Sequence, residues 1–178
     1  MAELFTLPVL FGIIYSGIRL ATPYLYASLG ETFAQASGVL NLGVDGIMLM
    51  GAYTGFFIGM KTGSVWLGLL AAAITGMLMG LLMAFISITL KAEQGISGIG
   101  LQLFGLGLST LLFKLTMGSV ESINGFQAIK IPLLGSIPYI GEAFFNHNLL
   151  VYGAYLMVPI SNFVLNRTTL GLKIRAVG

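Results

Sequence analysis

Few side chains in this sequence are equipped for chemistry, and most of those fall in two places. The stretch Ser37–Ala52, SGVLNLGVDGIMLMGA, sets Asn41 and Asp45 four residues apart among apolar residues and glycines. If this piece is helical, the two share one face, a single turn apart. The stretch Ile96–Ser109, ISGIGLQLFGLGLS, adds Gln102 and Ser109 to an uncharged run. Asn41, Asp45, Gln102 and Ser109 are therefore the candidates for lining a polar solute's path. The competing role for each is structural, a hydrogen bond to backbone or to a neighbouring helix. Arg19 lies deep in the first apolar stretch, where Glu31 or Asp45 would be a suitable counter-charge. An ionised side chain at the bilayer centre costs at least about 2.5–3.5 kcal/mol, so such groups belong near an interface, inside protein or beside water.

No catalytic set assembles. With one His and no Cys, zinc and thiol chemistry lack their ligands. No Gly-Lys dipeptide is present, so the phosphate loop GxxxxGK[ST] is missing. No cofactor is expected in this chain, and any ATP it depends on must be bound by another subunit. His147 opens the last apolar stretch and is expected to be solvated there. Lys114 is expected to snorkel to an interface. The formal charge of +2 is too small to suggest nucleic acid.

The elements that must position these residues follow from composition. The 178-residue chain is 57% hydrophobic and 8% charged, against about 25% charged in a soluble domain. Its solvent is lipid, and the expected fold is an all-α, polytopic transmembrane helix bundle of about five spans. The apolar stretches run Phe5–Leu29, Val39–Met60, Ser64–Leu90, Ile96–Met117 and His147–Leu165. The second is either continuous or broken and re-entrant at its polar turn, since irregular backbone is tolerated in a membrane only under cover of protein or a cavity. The start MAELFTLPVL has no Lys or Arg ahead of its apolar run, which reads as a retained span. Gly118–Asn146, with Pro132 and Pro138, reads as a surface loop on one membrane face. Arg167, Lys173 and Arg175 form the densest basic cluster, which places the C-terminus in the cytoplasm and the loop outside. Small residues recur at every fourth position: Gly51, Gly55 and Gly59, then Gly68, Ala72, Gly76, Gly80 and Ala84. Each set forms a stripe suited to close helix packing in lipid.

Four segments together resemble a known family. They are SGVLNLGVDGIMLMGAY, the preceding RLATPYLYASLGE (Arg19–Glu31), IPLLGSIPYIGEAFFNHNLLVYGAYLMVP, and the tail TTLGLKIRAVG. They resemble the permease subunits of bacterial ABC importers, closest to the nucleoside and simple-sugar group related to the ribose and branched-chain amino acid permeases. The resemblance implies a single permease domain over 1–178, the N-terminal part of a longer family domain. It implies an outer-face loop at 118–146 and the start of a cytoplasmic coupling segment at 168–178. The implied function is import of nucleosides or related sugars across the cell membrane by alternating access. The implied partners are cytoplasmic ATPase subunits, a second permease subunit and an extracellular substrate-binding protein. Leu170, Gly171, Lys173, Ile174, Arg175 and Val177 fall in the coupling segment. Leu170, Ile174 and Val177 recur at helical spacing while Lys173 and Arg175 stay hydrated, which suits a groove of a partner or equally a membrane surface. Family members continue well beyond this point, so a truncated frame, a fragment and half of a split permease are all expected forms. The rival functions are an ion-coupled carrier or channel using Asp45 and Arg19 as a charge pair, and an inactive fragment.

Overall fold

The computed structural model describes residues 6–118, 125–131 and 140–178. Their elements are α1 (Leu7–Ala36), α2 (Val44–Thr62), α3 (Val65–Ala84) continuing into a π turn (Phe85–Thr89), α4 (Gln94–Thr116), β1 (Ala128–Lys130), α5 (Ile140–Phe145), β2 (Asn146–Asn148), α6 (Leu149–Arg167) and α7 (Thr169–Val177). Each of the five apolar stretches carries a helix. Among the described residues, three helices are long and apolar enough to cross a membrane: Val65–Thr89, Gln94–Thr116 and Leu149–Arg167. At 30 and 19 residues, α1 and α2 are not short. They differ in composition, since α1 holds Arg19, Pro23 and Glu31, and α2 has Asp45 and Lys61 near its ends.

Helix boundaries depart from the apolar limits for local reasons. α1 runs on to Ala36, past the expected end at Leu29, and neither Arg19 nor Pro23 interrupts it. It stops at Gly38, whose φ of 79° is cheap only for glycine. The second helix begins at Val44 rather than Val39, because Asn41 turns its Oδ1 to accept the Gly43 N–H (2.9 Å) and holds that stretch in a turn. Asn41 is therefore outside the helix, and it does not share a helical face with Asp45. The irregular polar stretch precedes α2, which is itself unbroken. Gly63, at φ 69°, ends α2, and the Ser64 hydroxyl accepts the Leu67 N–H to start α3.

The chain forms two compact units, residues 31–125 with 174–178 and residues 1–30 with 126–173. In the first, Met50, Met79, Met83 and Leu101 make the core, flanked by Ile47, Leu108 and Leu112. α2 and α3 form an antiparallel hairpin in which Gly55 faces Gly68 and Ala72, Gly59 lies against Gly68, and Gly51 faces the Ala72 carbonyl. Gly76 only grazes Ile47, and Gly80 faces open space. α4 lies beside α2 and runs in the same direction: Gly43 meets Gly98, Gly46 meets Gln102, and the Tyr53 and Thr116 hydroxyls join at 3.1 Å. Trp66, Leu70 and Leu81 of α3 remain exposed, as lipid-facing residues would.

The other unit is tied by side chains. β1 and β2 pair antiparallel with Ile129 opposite His147. The Tyr152 hydroxyl donates to the Ile129 carbonyl (2.9 Å) and accepts the His147 N–H (3.1 Å). His147 is not solvated: it is 1% exposed, its ring stacks on Tyr15 at 4.7 Å, and its Nε2 lies 2.8 Å from the Ala143 carbonyl. A ring stacked on one side and hydrogen-bonded at its edge has little left for water to reach. The Tyr26 hydroxyl donates to the Leu150 carbonyl (2.8 Å). Within the expected loop Gly118–Asn146, the described residues hold β1, α5 and the start of β2. Pro132 and Pro138 lie outside the described residues.

Candidate functional site

The site is built on the irregular backbone between α1 and α2, which has no helix to satisfy it. Side chains do so instead. Gln94, the first residue of α4, accepts the Leu40 N–H (2.7 Å) through Oε1 and donates from Nε2 to the Gly38 carbonyl (3.3 Å). Glu31 accepts the Asn41 N–H and the Gln35 Nε2–H, each at 3.0 Å. Below Gln94, the Glu93 carboxylate caps α4 by accepting the Ile96 N–H (2.6 Å) and the Gly95 N–H (2.9 Å). Those two contacts, Ile96 first, hold its carboxyl below the usual carboxylate range. Gln94 and Glu93 were not singled out from the sequence. The available clue was an acidic residue directly before an apolar run, a helix-start pattern.

The connection then lies along the first two turns of α4. A Cβ on Gly98 would sit 2.8 Å from the Leu42 nitrogen, and one on Gly43 would sit 2.8 Å from the Gly98 carbonyl. A Cβ on Gly46 would reach 2.6 Å from the Gln102 Cα, and one on Gly105 would fall on the Gly46 backbone. Only glycine permits this approach. As a result α2 begins level with Gln102, eight residues into α4, or about 12 Å along it. Asp45 is in the first turn of α2, where the helix dipole favours a carboxylate. It is exposed, and its Oδ2 accepts from Gln102 Nε2 at 3.4 Å, a long contact.

The structure thus brings Asp45 to Gln102, while the other candidates are placed elsewhere. Asn41 is in the turn, and Ser109 is buried, donating to the Leu106 carbonyl (3.1 Å) of its own helix. Arg19 is exposed on α1, and Glu31 and Asp45 take the partners just given. Among the described residues no group of His, Asp and Glu could hold a metal ion.

The basic tail forms α7. Thr168 is extended (φ −116°, ψ 157°) between α6 and α7. Its hydroxyl donates to the Val164 carbonyl (2.6 Å) and accepts the Gly171 N–H (3.2 Å). Gly171 is buried so tightly that a Cβ there would overlap the Val164 and Leu165 carbonyls. Leu170, Lys173, Arg175 and Val177 are exposed and Ile174 is half-buried. Gly178 lies against the turn after α1, where a Cβ on it would come 2.5 Å from the Ala36 carbonyl.

Long apolar helices joined by short connections and packed through glycine make this an integral membrane protein of the polytopic helical class. More narrowly, residues 13–178 match the family described as the permease component of branched-chain amino acid transport systems, and the chain belongs to that family. It is similar to a protein of Haloferax volcanii named as a candidate glucose ABC transporter permease, 43% identical over 94% of this chain and 51% of that one. It is also similar to a guanosine ABC transporter permease of Bacillus subtilis (36% identical, covering 89% of this chain and 53% of that one). A nucleoside ABC transporter permease of Lactococcus lactis is 30% identical, again over 89% and 53%. The chain spans about half the length of these curated relatives. No solved structure matches it.

Proposed function

We propose that this chain is a transmembrane subunit of an ATP-driven importer that moves nucleosides or simple sugars by alternating access. ATP is bound and hydrolysed by separate cytoplasmic ATPase subunits, a second permease subunit completes the pathway, and an extracellular binding protein delivers the solute. The observation that carries this reading is the similarity, over most of the chain, to permeases named for glucose, guanosine and nucleosides. α7 supports the coupling part. It is a short helix held close to the end of α6 by Gly171, with Leu170 and Val177 exposed beside Lys173 and Arg175. An exposed apolar edge flanked by cations is suited to a groove on a partner.

A cytoplasmic tail is supported by one further arrangement. The α1–α2 connection, the start of α4 and residue 178 gather at one end of their unit, through Gln94 to Gly38 and Gly178 beside Gly38. The basic cluster assigns that end to the cytoplasm.

The test is uptake of radiolabelled guanosine and glucose into proteoliposomes containing the chain with its partner subunits. Uptake that needs ATP inside and the binding protein outside is expected. Uptake driven by an ion gradient with no ATPase present overturns the reading. Leu170→Asp is expected to abolish copurification with the ATPase, and retained association removes α7 from the coupling role.

A further inference from the structure

We propose that Asp45 and Gln102 form a hydroxyl-reading subsite that accepts the vicinal diol of a neutral polyhydroxyl solute. This rests on the transport reading and states what part of the solute the chain itself recognises. The first ground is position. The pair lies eight residues into α4, about 12 Å from its start, with apolar neighbours such as Ile47 and Leu101 in sequence. A carboxylate exposed at that level cannot abut acyl chains without a large penalty, so its open side faces water or a solute.

The second ground is rigidity. Gly46 and Gly105 place the two backbones in direct contact, and Gly98 admits the segment leading into α2. The spacing of the two side chains is therefore set by main chain rather than by mobile packing. The third ground is hydrogen-bond capacity. Gln102 Nε2 has one hydrogen directed at Asp45 Oδ2. What remains is Asp45 Oδ1, the spare lone pairs of Oδ2, the Gln102 carbonyl oxygen and one Nε2–H. That surface is rich in acceptors and negatively charged. It suits two adjacent O–H donors, which a carboxylate takes one on each oxygen, and it repels phosphate. Adjacent hydroxyls are the chemistry that a ribonucleoside and a hexose share, and the relatives are named for both kinds of solute.

The experiment measures uptake by the assembled transporter of guanosine and of 2′,3′-dideoxyguanosine, with one binding protein throughout. The binding protein's own preference enters every measurement equally and cancels when variants are compared with wild type. Asp45→Asn is expected to reduce the preference for the diol by about tenfold, the loss of one charge-assisted hydrogen bond. Gln102→Leu is expected to reduce it less, because the carboxylate remains. Guanosine monophosphate, supplied inside-out to bypass the binding protein, is expected to be refused by wild type and tolerated better by Asp45→Asn. An unchanged preference in both variants overturns the subsite. So does an equal loss of both solutes in a variant that still assembles, which is the result for a structural pair. Loss of a proton or sodium dependence without a change in preference overturns it in favour of cation binding. A wild-type assembly that moves neither nucleoside nor sugar overturns the transport reading itself, whereas a transporting wild type with an unmoved preference overturns this inference alone.

Discussion

The α2–α4 crossing and the ribbon around His147 solve the same problem in opposite ways. At the crossing, backbone lies on backbone: Gly46 meets Gln102, and Gly105 meets Gly46. Around the ribbon, side chains bridge every gap, with His147 stacked on Tyr15 and Tyr152 linking β1 to β2. Where glycine makes the contact, the neighbouring polar residues have no structural duty, and Asp45 and Gln102 are left facing outward. Where polar side chains make the contact, none is left over. The difference explains why the one place with open hydrogen-bond capacity is beside the closest helix approach.

Five outcomes break or sharpen this contrast. The largest is Gly105→Val, which places a branched side chain on the Gly46 backbone and is expected to cost about 3 kcal/mol or more. Thermal unfolding in detergent measures it, and a near-native transition would mean the backbones are not truly in contact. Next, His147→Ala removes the stack and leaves the Ala143 carbonyl without its partner. A loss of about 2–3 kcal/mol is expected by the same assay, and no loss would remove the ribbon's reliance on side chains. Gly171→Ala pushes α7 off the end of α6 and is expected to cost about 1–2 kcal/mol locally. Faster proteolysis within α7 would report it.

The fourth outcome concerns pH. Glu93 is held below the usual carboxylate range by the Ile96 and Gly95 N–H groups. Its capping contribution is therefore complete above that range and is lost as the pH falls through the lowered value. Hydrogen-exchange protection of the first turn of α4 should fall on acidification in wild type and stay flat in Glu93→Gln. The smallest effect is Gly80→Ala. A Cβ there meets nothing within 4 Å, so a stabilisation of at most about 1 kcal/mol is expected, and a marked loss would reveal a contact absent from this unit.

The helix centres were legible because lipid imposes long apolar runs, and each run carries a helix. Their ends were not. Gly38 and Asn41 move the end of α1 and the start of α2 through local backbone geometry that hydropathy does not register. The two small-residue stripes were visible as spacing, but spacing does not say that Gly55 meets Gly68 while Gly80 meets nothing. Asp45 and Gln102 were each conspicuous as polar residues in oil. Their pairing depends on Gly46 and Gly105, two glycines among 25, and no local pattern marks them. His147 was misjudged because its stacking partner, Tyr15, is far earlier in the chain.

The π turn at Phe85–Thr89 has a consequence for how insertions and deletions are tolerated. Ser87 is buried within it, its hydroxyl 3.7 Å from the Met83 sulfur. A π turn holds one residue more than an α-helical turn, and each residue rotates a helix by about 100°. Deleting one residue there would leave an acceptable helix but swing everything after it by more than a quarter circle. Lys91, already in a left-handed conformation at φ 52°, would have to absorb that rotation before Gln94 could reach Gly38 again. The widened turn thus acts as a phasing element: it sets the angle at which α4 arrives, and with it which of that helix's residues stands opposite Asp45.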